Sequence, residues 1–145
     1  MPLQHRVLMI EDHPDIAELY QLKLQLDGYR VALASDGITG LNMARSLLPD
    51  IVLLDLHLPQ KDGLELLSEL REDDDTRELP VVVFSEDDDP KTIRAAERLS
   101  VAAYLVKAQL LPSRLSRTIT EVLRDHGRLG AGNGAATADA ARQAS

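Results

Sequence analysis

Apolar residues along this chain follow two spacings, which alternate from one end of the chain to the other. Five short apolar runs, bounded by turn-forming residues, are typical of strands. They cover residues 7–10, 29–33, 51–54, 81–84 and 101–106. The second run alternates and is expected nearer a sheet edge. After each run, apolar residues recur every three or four positions, which predicts a helix. We therefore expect five strands alternating with five helices.

Several of these helices have clear beginnings and ends. Pro14 stands at the start of the first helix and Gly28 at its end, the positions that proline and glycine favour. Four apolar residues recur at helical spacing between them: Ile16, Leu19, Leu22 and Leu26. The fourth helix follows the acidic run 86–89 and Pro90, where negative charge faces the positive end of the helix dipole. The last helix is expected to end near Gly127.

The third apolar run, Ile51–Leu54, organises the rest of the chain. It has no polar position, as expected of a strand buried on both faces in a parallel sheet covered by helices. Short connections between alternating strands and helices require right-handed crossovers. We predict an α/β fold, a doubly wound parallel sheet of five strands with five helices, over residues 1–127. Residues 128–145, rich in Gly and Ala, are predicted to be a disordered tail or a linker.

Composition excludes several classes of protein. A chain of 145 residues is long enough for one domain with a hydrophobic core, and its formal charge of −8 argues against direct nucleic-acid binding. It has no apolar run of the roughly 18 residues that a membrane span needs. Without cysteine it forms neither disulfides nor thiolate metal sites. Since no basic-then-apolar leader precedes the first strand, a cytoplasmic location is expected.

Reactive side chains follow four of the five predicted strands. These are the acidic pair Glu11 and Asp12, then Asp55, Ser85 and Lys107. Any one of them alone is better explained as a helix cap, a turn residue or a solvated charge. Because the carboxyl ends of parallel strands share one edge of the sheet, where ligands of such folds bind, we expect the four groups to meet in one pocket.

Carboxylates crowded at one edge indicate a bound cation, since they would otherwise repel each other or take up protons. Oxygen ligands suit Mg²⁺, which commonly combines one or two carboxylates with waters and phosphate oxygens. We expect Asp12 and Asp55 to bind Mg²⁺ directly, Glu11 to act through a water, and the backbone carbonyl of His57 to complete the set. A carboxylate can also attack phosphorus, which makes Asp55 a candidate phosphate acceptor. Lys107 and the Ser85 hydroxyl would then neutralise and bind the phosphoryl oxygens.

Over residues 5–126, the chain resembles the receiver domains of bacterial response regulators, the CheY-like domains with a flavodoxin-like fold. The matching motifs are the pair 11–12, the stretch 53–63 around Asp55, Ser85 after the fourth strand, and residues 104–107. The resemblance implies Mg²⁺-dependent phosphotransfer from a histidine kinase, or a phosphotransfer protein, to Asp55. It also implies a switch in which the Ser85 hydroxyl moves to the phosphoryl group and Tyr104 turns inward behind it. The signal would leave through the face of helix 4, strand 5 and helix 5, to a downstream protein or a second copy.

Two residues depart from the family pattern. Ala108 follows Lys107 where proline is common, which casts doubt on the cis peptide usual in that loop. Glu86 follows Ser85 where a small residue is usual, and Asp87 adds a second acid to the pocket rim. We therefore expect slow phosphorylation by small phosphodonors and a strong requirement for Mg²⁺.

Other functions fit less well. An aspartyl phosphatase would need an acid two residues after Asp55, where His57 stands, so the protein is not expected to be an enzyme in its own right. A nucleotide-binding fold would need a glycine-rich turn after the first strand, which is absent. An unphosphorylated interaction module, or the amino-terminal receiver of a larger output protein, remains the alternative. The side chain of His57 is not expected to take part, and the other three histidines are predicted to be surface residues: His5, His13 and His126.

Overall fold

A computed structural model describes residues 4–127 of the chain. Five strands form one parallel sheet: β1 Arg6–Ile10, β2 Arg30–Ala34, β3 Ile51–Leu54, β4 Val81–Ser85 and β5 Ala103–Val106. Each strand is followed by an α-helix: α1 Pro14–Leu26, α2 Gly37–Leu47, α3 Gly63–Glu72, α4 Pro90–Arg98 and α5 Pro112–Asp125. A short 3₁₀ turn, Lys107–Gln109, separates β5 from α5. The predicted fold class is confirmed, while the predicted tail, 128–145, lies outside the described residues.

The sheet has the strand order β2-β1-β3-β4-β5, so β3 lies at its centre and β2 and β5 at its edges. In register, Ile10 of β1 is paired with Leu54 of β3, so the residues that follow these two strands are neighbours. Ser85 of β4 is paired with Val106 of β5, also at the carboxyl ends of the strands. The topology therefore brings the polar residues at four strand ends to one place, as the sequence predicts.

Alternate residues of the strands face two hydrophobic layers. Val7 and Met9 point to the layer of α1 and α5, whereas Leu8 and Ile10 point to the layer of α2, α3 and α4. All four residues of β3 are fully buried. Burying a side chain of this size contributes about 1.5–3 kcal/mol, so the central strand that carries Asp55 is held firmly from both sides.

The buried face of α1 is not the one that the leucine spacing indicates. The helix buries Ala17, Tyr20 and Leu24. Of the four residues that the spacing indicates, Ile16 is half-buried. The other three are exposed, with exposed fractions of 53% for Leu19, 56% for Leu22 and 74% for Leu26. Apolar residues occur on both sides of this helix, so spacing alone does not choose between them. The tyrosine fixes the choice, because its hydroxyl donates to the carbonyl of Leu110 (3.1 Å) before α5.

Three helix ends have clear local causes, and the two at Gly28 and before α4 match the sequence predictions. Asp89 caps α4 by accepting the N–H of Lys91, and Asp36 caps α2 through Thr39. Gly28, which follows the C-cap residue Asp27 of α1, has φ +96, a conformation that glycine adopts readily. At the start of α1 the cap position is His13, whose side chain makes no capping bond. Asp12 is therefore not used as a helix cap.

Candidate functional site

Asp55 lies at the carboxyl end of β3 in a loop with little freedom. Its N–H donates to the carbonyl of Ile10 (3.0 Å), and one carboxylate oxygen accepts the N–H of His57 (3.1 Å). The loop returns to α3 at Gly63, whose N–H donates to the carbonyl of Leu56 (2.9 Å). A Cβ on Gly63 would lie 2.4 Å from the Cα of Leu56, so only glycine allows this approach. The loop thus fixes the carboxylate while leaving it 3% exposed.

Lys107 extends from the end of β5 into the same pocket, where its side chain is 7% exposed. The ammonium group lies 3.1 Å from a carboxylate oxygen of Asp55 and forms a second ion pair with Glu11. It also lies 4.9 Å from the ring centroid of Phe84, within range of a cation–π contact. Burial alone lowers the pKa of Lys107, but the hydrogen bond that it donates to Glu11 and the charge of Asp55 raise the pKa above its usual 10.5. Lys107 is therefore a fixed positive charge.

Glu11 and Asp12 follow β1 and differ in how they are bound. Glu11 is buried, and its two oxygens accept from Lys107 and from the N–H of His13 (3.1 Å). Burial raises the pKa of Glu11 above its usual 4.5, although Lys107 acts in the opposite direction. Asp12 is half-buried, and its Oδ1 has no hydrogen-bond partner among the described residues. An unpaired buried carboxylate oxygen is costly, which points to a cation that would bind there.

The three acids have the geometry of a metal site. One carboxylate oxygen from each of Glu11, Asp12 and Asp55 lies within 4.8 Å of the others. Three hard oxygen ligands at one sheet edge, one of them unpaired, match the preferences of Mg²⁺. The residues present therefore fit this ion. The backbone carbonyl of His57 as a further ligand stays a prediction.

Ser85 is completely buried at the end of β4, and its Oγ accepts the N–H of Asp87 (3.1 Å). Tyr104 of β5 is partly buried against the layer of α2, α3 and α4, and its hydroxyl donates to the carbonyl of Asp87 (2.6 Å). The two residues assigned to the switch are thus both bound to the main chain of Asp87 in the β4–α4 loop, one to its N–H and the other to its carbonyl.

Asp87 connects more elements than its position on the pocket rim predicts. Its carboxylate accepts from Thr92 in α4 (3.1 Å) and from the N–H of Asp89 (2.9 Å), and it lies 3.3 Å from Nε2 of His57. These hydrogen bonds hold the pKa of Asp87 below its usual 3.8. Through this one residue the Asp55 loop, β4, α4 and β5 are joined. The sequence signal for it, an acid two residues after Ser85, is too common to be diagnostic.

The remaining predicted residues are placed as follows. Glu86 is exposed and lines a cavity of about 460 Å³ beside Lys107, Tyr20 and Ile16. The bond before Ala108 is trans, as are all peptide bonds in residues 4–127. His13 and His126 are exposed, and His5 is half-buried.

Comparison with protein families matches residues 7–120 to the family described as the response regulator receiver domain. The polar-differentiation response regulator DivK of Brucella anthropi is 31% identical over 122 residues, which are 82% of this chain and 96% of that protein. The DNA-binding dual master transcriptional regulator RpaA of Synechocystis is 41% identical over 80 residues, 55% of this chain and 33% of that protein. The chain spans less than half the length of several curated relatives that it matches.

Solved structures share the fold. The chemotaxis response regulator CheY4 of Vibrio cholerae has a TM-score of 0.77 at 25% identity, with 83% of this chain and 100% of that one covered. A CheY-like receiver domain protein of Methanospirillum hungatei has a TM-score of 0.81 at 22% identity, with 88% and 100% covered. No helix within residues 4–127 is long and apolar enough to cross a membrane.

Proposed function

Since the chain belongs to the response regulator receiver domain family of two-component systems, we propose that it is a phosphorylation switch in which Asp55 accepts a phosphoryl group from a histidine kinase or a phosphotransfer protein. The main support for this proposal is the set of side chains around Asp55. Its buried carboxylate is paired with Lys107 and lies within 4.8 Å of oxygens from Glu11 and Asp12. A nucleophile, a fixed cation and a set of metal ligands are the parts that phosphoryl transfer requires.

Each side chain of the site has a separate role in phosphoryl transfer. An oxygen of Asp55 attacks phosphorus while the bond between phosphorus and the donor's histidine nitrogen breaks, so the donor imidazole is the leaving group. The buried ammonium group of Lys107 neutralises the charge on the phosphoryl oxygens. Glu11 holds Lys107 in place through its ion pair. Mg²⁺ held by Asp12, Asp55 and, through a water, Glu11 would supply further neutralisation of the phosphoryl oxygens.

The contacts of Asp87 give a physical route from Asp55 to the surface. A phosphoryl group adds about −1.5 to −2 of charge and would draw the Ser85 hydroxyl toward it, away from the N–H of Asp87. The same residue binds Tyr104 and Thr92, so a shift of the β4–α4 loop would move both the tyrosine and the first turn of α4. The face formed by α4, β5 and α5 is therefore proposed as the output surface, for a downstream protein or a second copy.

On this proposal the protein works in the cytoplasm and is not an enzyme acting on a separate substrate, although it assists its own phosphorylation and dephosphorylation. Intact-mass measurement after incubation with Mg²⁺ and phosphoramidate tests it. One added phosphoryl group that Asp55→Asn abolishes and Asp62→Asn retains is the expected result. Asp62 is a matched control, since it lies in the same loop but caps α3.

Two outcomes would contradict the proposal. Rapid and continuous release of phosphate with no lasting increase in the mass of the protein would indicate a hydrolase. No mass change with Mg²⁺ and an excess of donor would indicate an interaction module that is never phosphorylated.

A further inference from the structure

Positive and negative residues are distributed unevenly along the chain, and the basic part corresponds to particular helices and one strand. Residues 1–89 carry seven Lys and Arg against twenty Asp and Glu, whereas residues 90–127 carry seven against three. The second segment contains α4, β5 and α5. The β5 end of the sheet is therefore basic in a protein whose overall charge is −8.

The cations on α4 and α5 are exposed and unpaired. None of them forms an ion pair with another residue in 4–127. They are Lys91, Arg94, Arg98, Arg114, Arg117 and Arg124. Cations elsewhere in the described chain are mostly engaged, as when Arg45 pairs with Asp73 and Arg71 donates to four main-chain carbonyls. The free positive charge is thus concentrated on two helices.

The strand between these helices offers a narrow apolar strip. Within the described residues β5 pairs only with β4, so its outer edge is open. Ala103 and Val106 of β5 are half-buried. The two residues before the strand are also apolar, with Val101 half-buried and Ala102 exposed. A partner that complements this face needs acidic groups around a few apolar side chains.

A second copy is a poor occupant of the same face. A two-fold dimer places identical patches opposite each other, which would here bring the exposed cations of two molecules together. A nucleic acid is also disfavoured, since the acidic run 86–89 lies directly before α4 and would repel an extended polyanion. A short acidic protein segment avoids both problems.

We infer that the face of α4, β5 and α5 docks an acidic segment of another protein. The inference rests on the proposed function, in which this face is the output surface, and adds the chemistry of the partner. Thr92 lies in α4 and Tyr104 in β5, and both are bound to Asp87, so docking on this face responds to the state of Asp55.

Fluorescence anisotropy with the full chain tests the inference. The probe is a fluorescein-labelled peptide of repeating Glu-Glu-Leu-Ala units, compared with its Gln-Gln-Leu-Ala analogue and with oligothymidylate of equal charge. The glutamate peptide is expected to bind tightest. Arg94→Glu and Arg117→Glu should each weaken it about fivefold, because a charge is reversed on the contact surface. Arg30→Glu is the matched control, an exposed arginine on β2 at the opposite edge of the sheet, and should have little effect.

Several results would overturn the inference: equal binding of the two peptides, an equal loss with Arg30→Glu, or tighter binding of oligothymidylate. A dimer in sedimentation that Arg117→Glu alters and Arg30→Glu does not would assign the face to a second copy. Mass measurement of phosphorylation keeps the two proposals apart. A protein that binds the peptide but takes no phosphoryl group contradicts only the proposed function, and a phosphorylated protein that binds no peptide in either form contradicts only this inference.

Discussion

The unpaired oxygen of Asp12 distinguishes the metal site from an ordinary cluster of acids. Glu11 and Asp55 are both held by Lys107, whereas Asp12 Oδ1 lies buried without a partner among the described residues. Repulsion among three acids is only partly relieved by one ammonium group. The site is therefore expected to lower the stability of the metal-free protein and to gain stability on binding Mg²⁺.

Replacing Asp12 by Asn tests whether the acids lower the stability of the metal-free protein and whether Mg²⁺ restores it. In the absence of Mg²⁺ we expect Asp12→Asn to raise the free energy of unfolding by about 1 kcal/mol, because one of three neighbouring charges is removed. Added Mg²⁺ should then stabilise the native chain but not the variant. Urea denaturation with and without Mg²⁺ measures both effects. Asp15→Asn, an exposed acid in the first turn of α1, is the control, and a variant that keeps the full Mg²⁺ response would contradict the site.

Glu86 is the residue most able to slow small phosphodonors. It is exposed beside Lys107, where its charge repels an incoming phosphate dianion. Glu86→Ala is expected to speed labelling of Asp55 by acetyl phosphate by about threefold. Asp88→Asn, which removes a charge two residues further along the loop, should change the rate less. Intact-mass spectra recorded over time give the initial rate of labelling. An unchanged rate in Glu86→Ala would contradict the proposal that Glu86 slows small phosphodonors.

At the scale of elements, α1 and α5 are tied by a polar contact at the end of α1. Ser116 of α5 donates to the carboxylate of Asp27, which also pairs with Lys23 (3.2 Å). The hydrogen bond from Ser116, with a smaller contribution from Lys23, lowers the pKa of Asp27 below its usual 3.8. A carboxylate with a lowered pKa in the folded state stabilises the protein at pH values above its unfolded pKa. That contribution is lost as the pH falls through the folded value.

The stability difference between the native chain and Asp27→Asn should therefore depend on pH. Near neutral pH we expect the variant to be less stable by about 1 kcal/mol or less, since a third of the Asp27 side chain is exposed and its charge is screened by solvent. Below the lowered pKa the difference should vanish. Urea denaturation across this range provides the measurement. Ser116→Ala should show the same pH dependence, and a difference that persists in acid would contradict the account.

The elements themselves were largely predictable from the sequence, with informative exceptions. Strands buried on both faces, proline at helix starts and acids before α4 are local signals, and each of these predictions is confirmed. The exposed leucines of α1 and the contacts of Asp87 were not predictable. In both cases the outcome depends on residues distant in sequence, which are Leu110 for Tyr20 and His57 and Tyr104 for Asp87.

At the scale of the whole molecule, the candidate site lies at the carboxyl ends of the strands, and the unpaired positive charge lies beside β5, at one side of the sheet. The parallel topology explains the first, because it makes residues far apart in sequence neighbours at the strand ends. The candidate site could be predicted for this reason, since strand ends are visible in the hydropathy pattern. The charge division along the chain was equally visible, but its meaning required the position of α4 and α5 on either side of an edge strand.

The central claim is that the carboxylate of Asp55 receives the phosphoryl group, and chemical mapping of the modified residue tests it most directly. Borohydride reduces an aspartyl phosphate to homoserine, so peptide mass mapping of the labelled and reduced protein identifies the acceptor. We expect homoserine at position 55 alone, and only when Mg²⁺ was present during labelling. Homoserine at any other aspartate, or a stable phosphoryl group on a hydroxyl or histidine side chain with position 55 unchanged, would contradict the account.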